Sequence, residues 1–232
     1  MTLGTRLRDL ERYDTPTICN ALEMIDEARR SFGYTKSNMH VVNPDFGAVA
    51  GIAFTATIRS AYPSEHSNDR LKNERLRYYE YMYTEVGAPK VCVMQDLDGS
   101  DAGKGPFWGE FNTRIHQAMG FRAVVTDGSV RDASKLPTDI LLLARGLRPS
   151  HSFVHVTGFR QQVNVYGMTV SHGDFVHADE HGAVAFPQEL LDDVCTRAQE
   201  FVDSEAPIIE ACKTGQLSWN KLRDLYMART RK

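Results

Sequence analysis

Apolar positions along the chain change period several times, and each change marks an element. "TPTICNALEMIDEARRSFG", from Thr15 to Gly33, carries its apolar residues at helical spacing. Thr15 or Thr17 suits its cap, Pro16 its first turn and Gly33 its end, so one helix is predicted here. "GAVAGIAFTATIRS" alternates small and branched residues and predicts a strand. The polar stretch from Tyr62 to Gly87 has a helical middle that turns aromatic at Tyr78, Tyr79, Tyr81 and Tyr83. Those four tyrosines cannot share one helix face, so some are expected to meet a neighbouring element or a second subunit.

"PKVCVMQDLDG" is short and almost continuously apolar, the pattern of a strand buried on both sides. "GEFNTRIHQAMG" reads as a helix stopped by Gly120, and "FRAVVTDG" and "DILLLARG" as two further strands. Strand, helix and strand in this order predict a parallel arrangement. Beyond Gly146 the texture becomes strands and turns, and from Gln188 it becomes helical, with Leu190, Leu191, Val194, Ala198, Phe201 and Val202 at helical spacing. The expectation is an α/β fold with a partly parallel sheet and C-terminal helices, in one domain over residues 1–232, with neither repeat nor linker.

Composition narrows the function classes. Hydrophobic residues make up 42% and charged residues 25% of 232, the profile of an ordinary soluble globular chain. A net charge of −3 offers no basic footprint for nucleic acid, and the terminal "RTRK" reads as a solvated tail. No apolar run reaches the length of a membrane span and no secretory leader is visible, so a cytoplasmic protein is expected. Cys19, Cys92, Cys195 and Cys212 form no C-x-x-C pair and are expected as reduced, mostly buried thiols.

The candidate chemistry lies between Phe107 and Asp132. Gly103, Gly105 and Gly109 precede a helix start, where close backbone approach and unpaired N–H groups favour a carboxylate or phosphate. The stretch has neither the Walker A order nor G-x-G-x-x-G spacing, so a small carboxylate is a better ligand than a nucleotide. Ligands of parallel sheets sit beyond the carboxyl ends of the strands. "FRAVVTDGSVRD" leaves its strand there and delivers Arg131 and Asp132 to the same edge as Gly109 and Glu110. Arg131 can grip a carboxylate or enolate oxygen through two N–H groups, and Asp132 is a hard oxygen ligand for Mg²⁺ or Mn²⁺. A surface ion pair and a helix-capping Glu110 would show the same spacing.

Other groups carry less. His172, His177 and His181 read as turn and surface residues rather than a metal cluster, and Asp174 and Asp179 as turn acids. No G-x-S-x-G elbow is present. Lys90 and Lys104 sit in no apolar run that would lower an amine's pKa for Schiff-base chemistry. Phe107 and Trp108 could wall a pocket or simply pack.

"WGEFNTRIHQAMGFRAVVTDGSVRD" resembles the G-E-L…G-x-V-x-D-G-x-V-R-D segment of the RraA-like family, which includes metal-dependent 4-hydroxy-4-methyl-2-oxoglutarate / 4-carboxy-4-hydroxy-2-oxoadipate aldolases. "TPTICNAL", "LLARGLRPS" and "VYGMTVSHGDFVHADEHGAVAFP" resemble three further family stretches in the same order, with Asn20 where Asp is usual. The segment from Pro63 to Gly87 looks unlike the shorter family average, and Lys135 stands where an acid is common.

The resemblance implies a β/β/α swivelling fold, a homotrimer or homohexamer, and sites at subunit contacts. It also implies a divalent metal held by Asp132 and a 2-oxo acid oxygen held by Arg131. Backbone N–H groups from Gly109 through Glu110, Phe111 and Asn112 would take the carboxylate, and Glu110 and a neighbouring subunit's acid, here matched to Glu205, would serve catalysis. The expected activity is a class II pyruvate-type aldolase. The alternative is a non-catalytic regulator like the family's namesake, which binds and inhibits RNase E.

Overall fold

The computed structural model describes residues 2–229, so most of the basic C-terminal tail, residues 230–232, lies outside the described residues. Four strands carry the site: β2 (Val49–Arg59), β3 (Lys90–Asp96), β4 (Phe121–Thr126) and β5 (Leu141–Ala144). They run parallel in the spatial order β5-β4-β3-β2, as the apolar runs predicted. A short β1 (His40–Val41) closes one edge antiparallel to β5. On the other side β2 pairs antiparallel with two strands, β9 (Phe175–Asp179) along its first half and β6 (His155–Phe159) along its second. β10 (Gly182–Phe186) completes the sheet beside β9.

The sequence of β2 explains its central place. All but the last of its residues are buried, so both faces need small or apolar side chains. Ala50, Ile52, Phe54, Ala56 and Ile58 face the helices; Val49 and Ala53 face a separate hairpin of β7 (Val163–Val165) and β8 (Met168–Val170). That hairpin turns on Tyr166 and Gly167, both at positive φ (51° and 88°), the pairing that matches strand twist in a two-residue loop. Hairpin, sheet and helices thus form three layers, β/β/α.

The helices are α1 (Leu3–Leu10), α2 (Thr15–Ile25), α3 (Asn68–Tyr83), α4 (Glu110–Ala118), α5 (Leu191–Lys213) and α6 (Trp219–Ala228). α1 was not foreseen; it buries Leu7 and Leu10. α2 is capped by Asp14 rather than by Thr15 or Thr17, and it stops at Ile25 instead of reaching Gly33. Asp26 ends it by accepting the Ala28 N–H at 3.0 Å and opening a 3-10 turn, Glu27–Ser31. Among the described residues no helix is long and apolar enough to cross a membrane.

The tyrosine run is covered largely from within. Tyr78 is buried, Tyr81 stacks on Phe159 at 5.2 Å, and Tyr79 donates to Asn112 Oδ1 at 2.6 Å; Tyr83 is the member left 67% exposed. Tyr78, Tyr79 and Tyr81 thus meet neighbouring elements of the same chain, as the spread of the tyrosines over the helix faces predicted. Among the cysteines Cys92 is buried, Cys19 and Cys195 are half-buried and Cys212 is exposed, fewer buried than expected.

Tyr78 also ties α3 to α4. Its hydroxyl lies 2.6 Å from His116 Nε2, while His116 Nδ1 lies 2.7 Å from the Asn112 carbonyl. Burial pulls the His116 imidazole down to about 4, so it is neutral near pH 7, with Nδ1–H donating and Nε2 accepting. Tyr78→Phe is expected to strand that buried acceptor and to lower unfolding stability by about 1–3 kcal/mol, read in a urea titration. An unchanged midpoint would show that the hydroxyl contributes nothing.

Candidate functional site

Three loops converge beyond the carboxyl ends of β3, β4 and β5. The loop after β3 is pinned by Asp96, whose carboxylate accepts from Ser60 Oγ at 2.5 Å and from the Gly103 N–H at 2.7 Å. Burial raises the Asp96 pKa, with these hydrogen bonds opposing it. Asp127 receives the Asp96 N–H at 2.7 Å, and burial pushes its carboxyl up to about 6. Gly105 then passes so close to the third loop that a Cβ on it would stand 2.4 Å from the His151 carbonyl oxygen.

The segment after β4 is held as a short extra strand. Val130 bridges Trp108 on one side and Leu147 on the other, both parallel. The Arg131 N–H donates to Trp108 O at 2.9 Å, and the Arg148 N–H to Val130 O at 3.0 Å. Arg131 and Asp132 are thereby set against Gly109, the residue that opens α4. A Cβ on Gly109 would lie 2.8 Å from Asp132 Oδ2 and 3.0 Å from Arg131 Cγ. Asp132 itself takes a left-handed backbone, φ 56° and ψ 35°, a conformation that Asp tolerates better than most residues and that concentrates at functional sites.

Around this junction lies a cleft of about 240 Å³, lined chiefly by Arg75, Phe107, Gly109, Asn112, Arg131 and Asp132. Phe111 and His151 also border it, and Phe111 is 70% exposed. Gly109 offers no side-chain cap to α4, leaving the first-turn N–H groups of Glu110, Phe111 and Asn112 for a ligand. The Asn112 side chain is already committed: Nδ2 donates to Phe107 O at 2.5 Å and Oδ1 accepts from Tyr79. Asn112 can therefore meet a ligand through its backbone while its side chain braces the wall.

Structure and sequence reading part company at several groups. Arg131 and Asp132 meet as expected, their side chains 3.4 Å apart. The Glu110 side chain turns along its own helix to Arg114, 3.5 Å away, and lines none of the cleft. Glu205 lies on α5, paired with Arg229 of the same chain, and does not line the cleft. Trp108 is buried beneath the site against His116, so Phe107 alone of that pair forms wall.

His177 is a core residue, not a surface one. It contacts Thr15 Oγ1 at 2.9 Å, and burial lowers its imidazole to about 4. Asp179, Glu180 and His181 cluster, but both Asp179 oxygens are taken by the Thr15 and His181 N–H groups. Lys90 corrects another expectation: it is 4% exposed, and burial does lower its pKa. Its amine donates to Met82 O at 2.9 Å, and it stands at the opposite, amino end of β3, outside the cleft. Arg75 and His151 were missed. Arg75 is one charge among many on a polar helix, and only the packing of α3 shows which way it turns.

The fold and cleft define an α/β protein whose paired Arg and Asp face an uncapped helix start. The family model described as "RraA-like: Aldolase/RraA" matches residues 15–185, and the chain belongs to that family. A curated relative from Alkalilimnicola ehrlichii, under the provisional name 4-hydroxy-4-methyl-2-oxoglutarate aldolase, is 31% identical over 110 residues. That match spans 47% of this chain and 66% of the relative, just under two thirds of its length.

Among solved structures, an uncharacterized Pseudomonas syringae pv. tomato protein superposes with a TM-score of 0.74 at 23% identity, covering 98% of this chain and 95% of its own. A Streptomyces coelicolor protein, described as an unusual member of the RNase ES inhibitor RraA family, has a TM-score of 0.69 at 22% identity over 89% and 97% of the two chains. These likenesses bear out the α/β fold, with its partly parallel sheet and C-terminal helices.

Proposed function

We propose that the cleft at the start of α4 is the active site of a divalent-metal-dependent class II pyruvate-type aldolase. It would cleave a 4-hydroxy-2-oxo acid to pyruvate and a second carbonyl compound, and decarboxylate oxaloacetate through the same enolate. The observation that carries this reading is the seating of Arg131 and Asp132 against Gly109, beside three free N–H groups. The substrate carboxylate meets those N–H groups, and the Arg131 guanidinium faces the 2-oxo oxygen, where negative charge grows as the C3–C4 bond breaks.

Among the described residues Asp132 is the one carboxylate lining the cleft, and its side chain is partly open to solvent. A single hard oxygen with room for water suits Mg²⁺ or Mn²⁺, which keep most of their water shell. Such a metal, when bound, would supply Lewis-acid stabilisation of the enolate. The proposal includes a homotrimer or homohexamer in which Glu205 reaches a neighbour's cleft after leaving Arg229.

The family also holds a nuclease inhibitor, so a protein-binding regulator is the competing reading; the Arg131–Asp132 pair in a cleft of about 240 Å³ favours the enzyme. The test is release of pyruvate from a 4-hydroxy-2-oxo acid with Mg²⁺, with EDTA, and in Arg131→Lys. EDTA is expected to suppress turnover. Arg131→Lys, which keeps the charge but loses the planar fork, is expected to lower kcat/KM by about tenfold or more. No turnover in the parent under any divalent metal would sink the enzyme reading.

A further inference from the structure

We infer that Arg75 is a specificity-determining residue, selecting substrates that carry a second carboxylate at the end remote from the 2-oxo group. This rests on the aldolase reading for the orientation of the substrate, but it is carried by its own observations. Arg75 comes from α3, inside the 63–87 segment, and lines the same small cleft as Arg131.

Its guanidinium carbon lies 5.2 Å from the centre of the Phe107 ring, so the wall of the cleft holds it in place. No carboxylate pairs with it among the described residues: the adjacent Glu74 pairs with Arg77, and Asp132 with Arg131. Its charge also reaches Tyr79, whose phenol is raised by burial but lowered in part by Arg75. Among the described residues the cleft therefore holds two guanidinium groups against one carboxylate.

A ligand with one carboxylate satisfies the helix start and Arg131 and leaves Arg75 unmatched. A ligand with two places its second charge on a partly desolvated, planar donor, where such contacts are strong. Of the other lining residues, Pro106, Phe107 and Val154 are apolar and His151 holds its Nδ1 3.0 Å from the Ser152 carbonyl, so among the described residues Arg75 is the permanently charged donor left for that second carboxylate. The selection is thus expected to show in binding, ahead of any bond cleavage.

The experiment compares two ligands that a retro-aldol step cannot cleave, 2-oxoglutarate and 2-oxopentanoate, which differ by the distal carboxylate alone. Their binding to the full chain with Mg²⁺ is measured by calorimetry. The parent is expected to prefer 2-oxoglutarate by about tenfold or more. In Arg75→Gln that ratio is expected to fall below about threefold, with Arg75→Lys between the two.

Equal affinity in the parent, no binding of either ligand, or a ratio unchanged in Arg75→Gln would overturn the inference. Circular dichroism checks the fold of each variant, and should Arg75→Gln not fold, the parent ratio and Arg75→Lys decide. Selective binding without pyruvate release would remove the aldolase reading and keep Arg75. Pyruvate release without selectivity would do the reverse.

Discussion

Asp132→Ala is expected to reduce metal-stimulated pyruvate release by on the order of a thousandfold, while the chain stays folded. Asp132 is partly exposed and sits in a loop, so its removal opens no core cavity. Its left-handed backbone does favour Asp over Ala, and Asp132→Asn is the better matched variant because Asn tolerates that conformation. Both should lose activity alike, since an amide is a poor ligand for a small divalent cation. Metal-stimulated turnover close to the parent's in a folded Asp132→Asn chain would remove Asp132 from the site.

The same variant tests assembly. Mixed and co-assembled with Glu205→Gln, it is expected to regain part of the lost activity, because some clefts would then combine an intact Asp132 with a neighbour's intact Glu205. Absence of any recovery would leave Glu205 as the intrachain partner of Arg229 that the structure shows.

Gly109→Ala is expected to lower kcat/KM by about a hundredfold, with a far smaller effect on stability. The backbone at Gly109 is extended, φ −159° and ψ −175°, so any residue could adopt it. What forbids a side chain is distance: the added Cβ would stand 2.8 Å from Asp132 Oδ2 and 3.0 Å from Arg131 Cγ. Both catalytic candidates would have to move, and a displacement of about 1 Å suffices for a loss of that size. The change should appear chiefly in kcat if the displaced guanidinium acts on the developing enolate, and chiefly in KM if it only binds the substrate. Parent-like kinetics would mean that the close approach of Gly109 to this pair has no bearing on turnover.

Much of the scaffold is legible in the sequence. Strands β2 to β5 and helix α4 follow from local period, because a strand buried on both faces needs a continuous apolar run and a helix needs a stripe. Arg131 and Asp132 were visible for a related reason: they follow directly on a strand of a parallel sheet, and the chain has nowhere to put them but the carboxyl edge. Helix ends were less legible. Asp14 and Asp26 compete with their neighbours as caps, and the choice between Asp14 and Thr15 was made by Asp179, which takes the Thr15 N–H from a strand 164 residues away.

The remaining features depend on contacts between segments distant in the chain. Glu110 had the right spacing, yet a side chain on a helix surface pairs with the residue four ahead when no partner lies closer. His177 read as a surface histidine and is core, because β9 is buried against α1 and α2. Lys90 gained its shifted amine from Phe54, Phe121 and the end of α3, none of which adjoins it in sequence. Arg75 is the furthest case: seven charged residues stand from Asp69 through Glu80 inclusive, and which of them faces the cleft is set by how α3 docks on Phe107 and Asn112. Periodicity is a local property and is written in the order of residues; the partner of a charged side chain is a property of packing and appears only when the segments meet.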